Sequence, residues 1–175
     1  MLKYSDISDI EKDFRYMVRD ETEQSIKDFN IDRANFHEVG KLDYERIIKQ
    51  FYYTFIDYKN HPTIHLHYVW LYFREDLEHK LCAQYGYHVK DWCEFIRLID
   101  SDIIPKKNRP AEFYLMNDCG WVYEGKLPEV LRVLEDAGML EDFYILPKRE
   151  RFDWVVCYCG DGDSLVIYYN RKGEA

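Results

Sequence analysis

Short runs of alternating apolar and polar residues fill the C-terminal third of the chain, and they constrain its fold more than any other feature. Alternation with a period of two is typical of strands, because successive side chains point to opposite faces of a sheet. The pattern predicts strands at residues 112–116, 121–123, 142–146, 152–159 and 164–169. The turn sequences Asn117-Asp118-Cys119-Gly120 and Gly160-Asp161-Gly162-Asp163 separate neighbouring strands, and the second is a strong hairpin signal. One antiparallel sheet over residues 112–169 is therefore expected.

A helix is predicted between the second and third of these strands, at residues 127–137. Pro128 lies in its first turn and Gly138 follows its last residue, which is the usual asymmetry of helix ends. Its inward-facing apolar side chains are Leu127, Val130, Leu131 and Leu134. Because these side chains share one face, we expect the helix to pack on one face of the sheet, which gives the order β-β-α-β-β-β.

The N-terminal part of the chain is predicted to be mainly helical. Apolar residues at helical spacing predict helices near residues 7–18, 43–58 and 89–99. A short helix and a surface loop are expected at residues 21–38. Residues 64–82 are ambiguous: a helix at 68–84 is favoured, although Ile64, Leu66 and Tyr68 could begin a strand.

The basic sequence Pro105-Lys106-Lys107-Asn108-Arg109-Pro110 marks the boundary between the helical and the β-rich parts. A chain of 175 residues suits one domain. The predicted fold class is α+β, with a helical part at about 1–104 packed on a sheet part at about 111–170.

The charge and cysteine content limit the partners and the compartment. The net charge is −9 at pH 7, which repels nucleic acid and anionic membranes. A basic protein is therefore the expected partner, and neither nucleic acid nor a membrane is expected to bind. No apolar segment reaches membrane-spanning length, and the first residues lack the apolar core of a signal peptide. The five cysteines are an odd number and are interpreted as reduced thiols. A cytoplasmic protein is therefore expected.

Motifs of catalysis and cofactor binding are missing from the sequence. It contains no phosphate-binding loop, dinucleotide fingerprint, hydrolase elbow or metalloprotease helix, so a noncatalytic protein without cofactor or metal is expected. His61, His65 and His67 leave open the alternative of a small metal-binding protein or enzyme, although zinc needs further ligands that no spacing here supplies. Asp161-Gly162-Asp163 begins like a calcium loop but lacks the later glutamate, which favours a turn.

One order of strand motifs is similar to a known group of proteins. Trp121-Val122-Tyr123-Glu124-Gly125 precedes the predicted helix, and Glu141-Asp142-Phe143-Tyr144-Ile145-Leu146 and Phe152-Asp153-Trp154-Val155-Val156-Cys157 follow it. This order, over about residues 112–169, resembles small acidic bacterial α+β proteins of the toxin-immunity type, from polymorphic and contact-dependent growth-inhibition systems. The resemblance implies a cytosolic, noncatalytic immunity protein that neutralises a cognate basic toxin domain by covering or distorting its active site. A nuclease is the expected toxin, because nucleases need basic surfaces.

Partner binding is predicted at the turns and ends of the sheet elements. Acidic side chains there can steer a basic partner, and neighbouring tyrosines that look exposed can act as anchors. The predicted residues are Asp118, Glu124, Glu141, Asp142, Asp161, Asp163, Tyr123, Tyr144 and Tyr158. Asp6, Asp9 and Asp13 form a rival acidic patch.

Overall fold

Four helices and a sheet make up the part of the chain that the computed structural model describes, namely residues 12–84, 89–107, 109–136 and 140–171. The helices are α1 (Lys12–Asp28), α2 (Lys41–Phe55), α3 (Val89–Leu98) and α4 (Leu127–Asp136). The strands are β1 (Phe36–Glu38), β2 (Glu78–Gln84), β3 (Phe113–Asn117), β4 (Val122–Gly125), β5 (Asp142–Pro147), β6 (Trp154–Cys159) and β7 (Ser164–Tyr169). Short turns of 3-10 helix lie at Val69–Tyr72 and Gly160–Gly162, and a π-helical turn, Ile99–Ile103, continues α3.

The strands pair in one antiparallel sheet with the order β1-β4-β3-β5-β6-β7-β2. The predicted α+β class, with helices mostly in the N-terminal part and the sheet mostly in the C-terminal part, is confirmed. All five C-terminal strands form at or within a few residues of their predicted positions, and α4 packs on one face of the sheet as expected.

Hydrophobic side chains cover the sheet on both faces. On one face, residues of α1, α3 and α4 pack against alternate strand residues such as Phe143, Ile145 and Val156. On the other face, α2 and the following segment to Leu77 pack against Tyr144, Leu146 and other strand residues. Strands β3, β5 and β6 are consequently buried along their whole length. The fold has three layers, with the helices of the N-terminal part divided between the two outer ones.

The favoured helix at residues 68–84 is wrong. Val69–Tyr72 is a single 3-10 turn, and Glu78–Gln84 is strand β2 at one edge of the sheet, paired with β7. Most of β2 is exposed, including Leu81, so its sequence carries no alternation between a buried and a solvated face. The hydrogen bonds offered by β7 decide its conformation, which illustrates how tertiary context overrides local strand propensity.

The interpretation of residues 21–38 is also partly wrong. Helix α1 continues to Asp28, and residues 36–38 form β1 at the other edge of the sheet rather than a loop. In this pairing Phe36 lies opposite Gly125, and a Cβ atom on Gly125 would lie 2.1 Å from the carbonyl oxygen of Asn35. Glycine is required at this position because the two backbones approach so closely. The predicted start of the first helix lies outside the described residues.

Candidate functional site

Acidic residues gather at one end of the sheet, which we call the acidic end. Strands β3 and β6 finish there, and β5 and β7 begin there. Its carboxylates are Asp118, Glu141, Asp142, Asp161 and Asp163. Antiparallel pairing explains their meeting, because the turn between β3 and β4 and the turn between β6 and β7 lie at the same end of the sheet. Glu141 and Asp161 are exposed, whereas Asp118 and Asp142 are buried.

Asp142 is the most perturbed carboxylate of the acidic end. One of its oxygens, Oδ1, accepts a hydrogen bond of 2.9 Å from the backbone N–H of Gly160, which fixes the turn between β6 and β7. Burial raises the pKa of Asp142 to about 6; the Gly160 hydrogen bond opposes this rise, and the nearby charge of Asp118 adds to it. The charged form of Asp142 is therefore held at neutral pH at a cost to folding.

Asp142 and two nearby side chains each have a buried polar atom without a hydrogen-bond partner. Among the described residues, such buried atoms include Asp142 Oδ2, Tyr144 OH and Trp70 Nε1. Asp142 and Tyr144 are two residues apart on β5, so their side chains share a face. The indole of Trp70 favours the charged form of Asp142 without reaching hydrogen-bond geometry. Unsatisfied polar groups are uncommon in folded proteins and often mark functional positions.

His67 is within hydrogen-bond distance of Asp118, with 3.1 Å between His67 Nδ1 and Asp118 Oδ2. The other two histidines of the sequence cluster lie apart from it in their contacts: His61 packs on the ring of Tyr72, and His65 is exposed. Within the described ranges, no group of three or more His, Cys, Asp or Glu side chains is arranged to hold a metal ion. His67 therefore acts with the acidic end rather than with His61 and His65.

Tyr68 brings an exposed ring to the acidic end. Its ring lies 3.9 Å from that of His67, measured between centroids, and its pKa is raised chiefly by the charge of Asp161, then by desolvation and by Glu141, Asp142 and Asp118. Its backbone is left-handed, with φ of 53°, a conformation that costs a residue with a Cβ atom about 1–2 kcal/mol. Strain of this kind is concentrated at functional sites.

Leu71 extends this exposed apolar surface. Its backbone N–H donates a 3.0 Å hydrogen bond to the carbonyl oxygen of Tyr68, which closes the 3-10 turn. The side chains of both residues are exposed, Tyr68 at 37% and Leu71 at 58%. The intervening Val69 is buried. The acidic end thus has an apolar centre within a field of negative charge.

The expected exposure of three tyrosines is wrong. Tyr123, Tyr144 and Tyr158 are all buried, because helices and the segments next to them cover both faces of the sheet at these three positions. Burial raises the pKa of Tyr123 and of Tyr144 well above the usual range. The hydroxyl groups of two are used internally, since Tyr123 donates to Glu23 and Tyr158 donates to Asp163, each at 3.1 Å. These rings cannot act as surface anchors in this conformation.

One other predicted carboxylate lies away from the acidic end. Glu124 is at the opposite end of β3 and β4, within 3.1 Å of His37 and 3.2 Å of Lys148. Asp6 and Asp9 of the rival patch lie outside the described residues, and Asp13 lies in the first turn of α1. The structure therefore brings five of the six predicted carboxylates to one end of the sheet and separates Glu124 from them.

The cysteine side chains form no disulfide in the structure. Cys157 and Cys159 share a face of β6 as predicted, but their Sγ atoms are only 3.4 Å apart, closer than the spacing along a strand suggested. Burial raises the pKa of the Cys157 thiol well above its usual value, which leaves it unreactive because the thiolate is the nucleophile.

Comparison with known proteins gives a family but no activity. A model of a family of unknown function, DUF6756, matches residues 14–174. The chain belongs to this family. No curated protein matches the chain, and neither does any solved structure. None of the described helices of this DUF6756 member is long and apolar enough to cross a membrane.

Sequence reasoning missed Tyr68, Trp70 and Leu71 as site residues. All were assigned to the wrongly predicted helix, where Trp70 would have been a core residue. A signal that could have found them is the placement of aromatic residues directly after His65-Leu66-His67, in a segment too short and too irregular in pattern for a stable helix.

Proposed function

We propose that this protein is an immunity protein that binds a basic toxin domain through the acidic end of its sheet. The observation that carries the proposal is the exposed ring of Tyr68 within the field of Asp161, Glu141, Asp142 and Asp118. A nuclease domain is the proposed target, since its substrate requires a basic surface. The protein acts in the cytoplasm, as a binding partner and without catalysing a reaction.

The arrangement supports a division of labour between charge and apolar contact. The exposed carboxylates Glu141 and Asp161 attract a basic partner over a distance and raise the rate of encounter. Tyr68 and Leu71 supply the apolar contact that holds the complex together, and tyrosine is enriched among such anchors. The left-handed backbone of Tyr68 and its contact with His67 hold the ring in place before binding, which reduces the entropy lost on association.

The binding partner to test is the C-terminal domain of the protein encoded by the adjacent upstream gene. Surface plasmon resonance at low and physiological salt should compare wild type with the double variant Glu141→Lys/Asp161→Lys. We expect association roughly tenfold slower at low salt and a smaller effect at about 0.15 M salt, where screening acts over about 8 Å. The matched control is Glu94→Lys/Glu150→Lys, which makes the same change in net charge at two exposed positions elsewhere.

Tyr68→Ala should instead speed dissociation and weaken binding by about 2 kcal/mol. Tyr53→Ala is its control, because Tyr53 is also exposed but lies on α2. Absence of binding by the wild-type protein at micromolar concentration would count against the immunity function. Tight binding that neither set of variants alters would leave the function standing and refute the acidic end as its site.

A further inference from the structure

A second concave site lies at the opposite end of β6 and β7 from the acidic end. It is a cavity of about 660 Å³ where β6 begins, β7 ends and β2 begins. The segment that follows α3 closes it through Pro105 and Lys107. A volume of this size suits a small organic ligand.

The cavity is rich in cations although the chain is acidic overall. Lys107, Arg151 and Arg171 line it, together with the carboxylates Glu78 and Asp153. Both carboxylates are engaged: Arg171 Nε donates to Glu78 at 2.7 Å, and Arg149 donates to Asp153 at 3.0 Å.

Two of the cations form no ion pair with another described residue. Lys107 and Arg151 are both exposed, and neither forms an ion pair with any residue in the described part of the chain. Within the described ranges, a chain with a net charge of −9 thus has two cations at a concave place that are not used in ion pairs. Such a place attracts an anion, because the low-dielectric walls of a cleft focus the field of the cations that line it.

Aromatic side chains form the base of the same cavity. Trp154 lies opposite Tyr169 across β6 and β7, and Tyr169 lies opposite Glu78 across β7 and β2. Residues directly opposite in antiparallel strands point to the same face, so these side chains form one row. Trp154 is buried and supports the half-buried Tyr169, whose ring offers a flat surface beside the cations.

We propose that this cavity binds a nucleoside phosphate, a small anion in which a flat ring is joined to phosphate. Arg151 and Lys107 hold the phosphate oxygens through charge-assisted hydrogen bonds. The ring of the ligand packs on Tyr169, as nucleobases pack on aromatic side chains. The site is independent of the proposed toxin-binding surface, since it uses none of the residues of the acidic end.

Isothermal titration calorimetry with ADP, inorganic phosphate and adenosine tests the proposal. We expect one ADP per chain with a Kd below about 1 mM, and at least tenfold weaker binding of phosphate and of adenosine. Lys107→Glu and Arg151→Glu should each weaken ADP binding at least tenfold. Lys27→Glu, which reverses an exposed charge at the end of α1, should leave ADP binding unchanged.

The milder variant Arg151→Gln, checked by thermal melting, separates loss of the site from loss of the fold, and it should also weaken ADP binding while keeping the wild-type melting temperature. Absence of ADP binding at 1 mM would overturn the proposal. Equal affinity for phosphate and ADP would overturn the role of the ring, and equal affinity for adenosine and ADP would overturn the role of the cations. An equal loss in Lys27→Glu would overturn the assignment to this cavity.

Discussion

Burial of a polar group lowers the stability of the folded state when the group lacks a hydrogen-bond partner, and Asp142 is an example. Its Oδ1 holds the turn at Gly160, whereas its Oδ2 has no partner among the described residues. The sequence placed this acid at the start of a strand but did not predict its burial. His67 and Trp70, which influence its pKa, come from a segment far away in the sequence. Asp142 thus stabilises the fold through the hydrogen bond of Oδ1 and destabilises it through the buried, unpaired Oδ2.

Replacing Asp142 by Asn should change the pH dependence of stability. The pKa of Asp142 is raised from 3.8 to about 6 in the folded state. Its titration therefore contributes stability that is fully present below about pH 4 and is lost as the pH rises through about 6. Between pH 5 and pH 7.5 the wild-type protein should lose about 1–2 kcal/mol relative to Asp142→Asn. Urea unfolding of both proteins at the two pH values measures this difference.

Asp153→Asn provides the comparison for Asp142→Asn, because it removes a carboxylate that is exposed rather than buried. Parallel profiles for wild type and Asp142→Asn would show that Asp142 titrates in the same way in the folded and unfolded chains.

The left-handed backbone of Tyr68 leads to a second prediction at this scale. Glycine adopts φ of 53° without the Cβ clash, so Tyr68→Gly should be more stable than Tyr68→Ala by about 1 kcal/mol. At Tyr53, within α2, the order should reverse, because glycine is about 1 kcal/mol less favourable than alanine in a helix. Denaturant unfolding of the four variants checks both signs. The same order at both positions would contradict a strained conformation at Tyr68.

At the scale of elements, the periodicity of apolar residues predicted those helices and strands that pack directly against the core. Strands β3 to β7 and helix α4 were found because their side chains alternate, or repeat helically, against a core. The edge strands β1 and β2 were not predicted, since β1 has only three residues and β2 is mostly exposed. Their conformation is decided by partners far away in sequence. The candidate site was likewise predicted only in part. The acidic residues at the turns were identified from the sequence, whereas the residues of the 3-10 turn at Val69–Tyr72 were missed.

The attachment of β1 to β4 predicts a strict requirement for Gly125. Its Cβ atom as alanine would lie 2.1 Å from the oxygen of Asn35 and 2.7 Å from the Cα of Phe36. Because both are backbone atoms, the strands must move apart, and Gly125→Ala should destabilise the protein by about 2 kcal/mol or more. Gly40→Ala is the control, because its Cβ would meet nothing within 4 Å, and its effect should stay within about 0.5 kcal/mol. Similar unfolding free energies for the two variants would refute this account of β1.

At the scale of the whole molecule, the sheet separates two surfaces of opposite character. The six residues of β6 place the acidic end and the cationic cavity about 17 Å apart. The overall charge of −9 conceals this separation, since composition averages over positions that the fold holds apart. Two ligands of opposite charge can therefore bind without competing for a surface.

Binding at the two ends should be independent. Since the sites share no residue and the strands between them are rigidly packed, saturating ADP should change the affinity for the toxin domain by less than about twofold. Surface plasmon resonance with and without ADP measures the coupling, and calorimetry of ADP binding to the preformed complex must return the same factor. A coupling of tenfold or more would contradict independence.

The positions of β1 and β2 in the sheet have a consequence for how the chain acquires its structure during synthesis. Strands β3 to β7 are joined by short connections and the helix α4, so they can assemble soon after they emerge from the ribosome. Both edge strands emerge earlier, yet each needs a partner that is translated later: Phe36 pairs with Gly125, and Glu78 pairs with Tyr169. At about 5–20 residues per second, β1 and β2 remain for several seconds without the strands with which they pair. We therefore expect chaperones to bind the nascent chain mainly during this interval, when the apolar side chains of the N-terminal part are not yet covered.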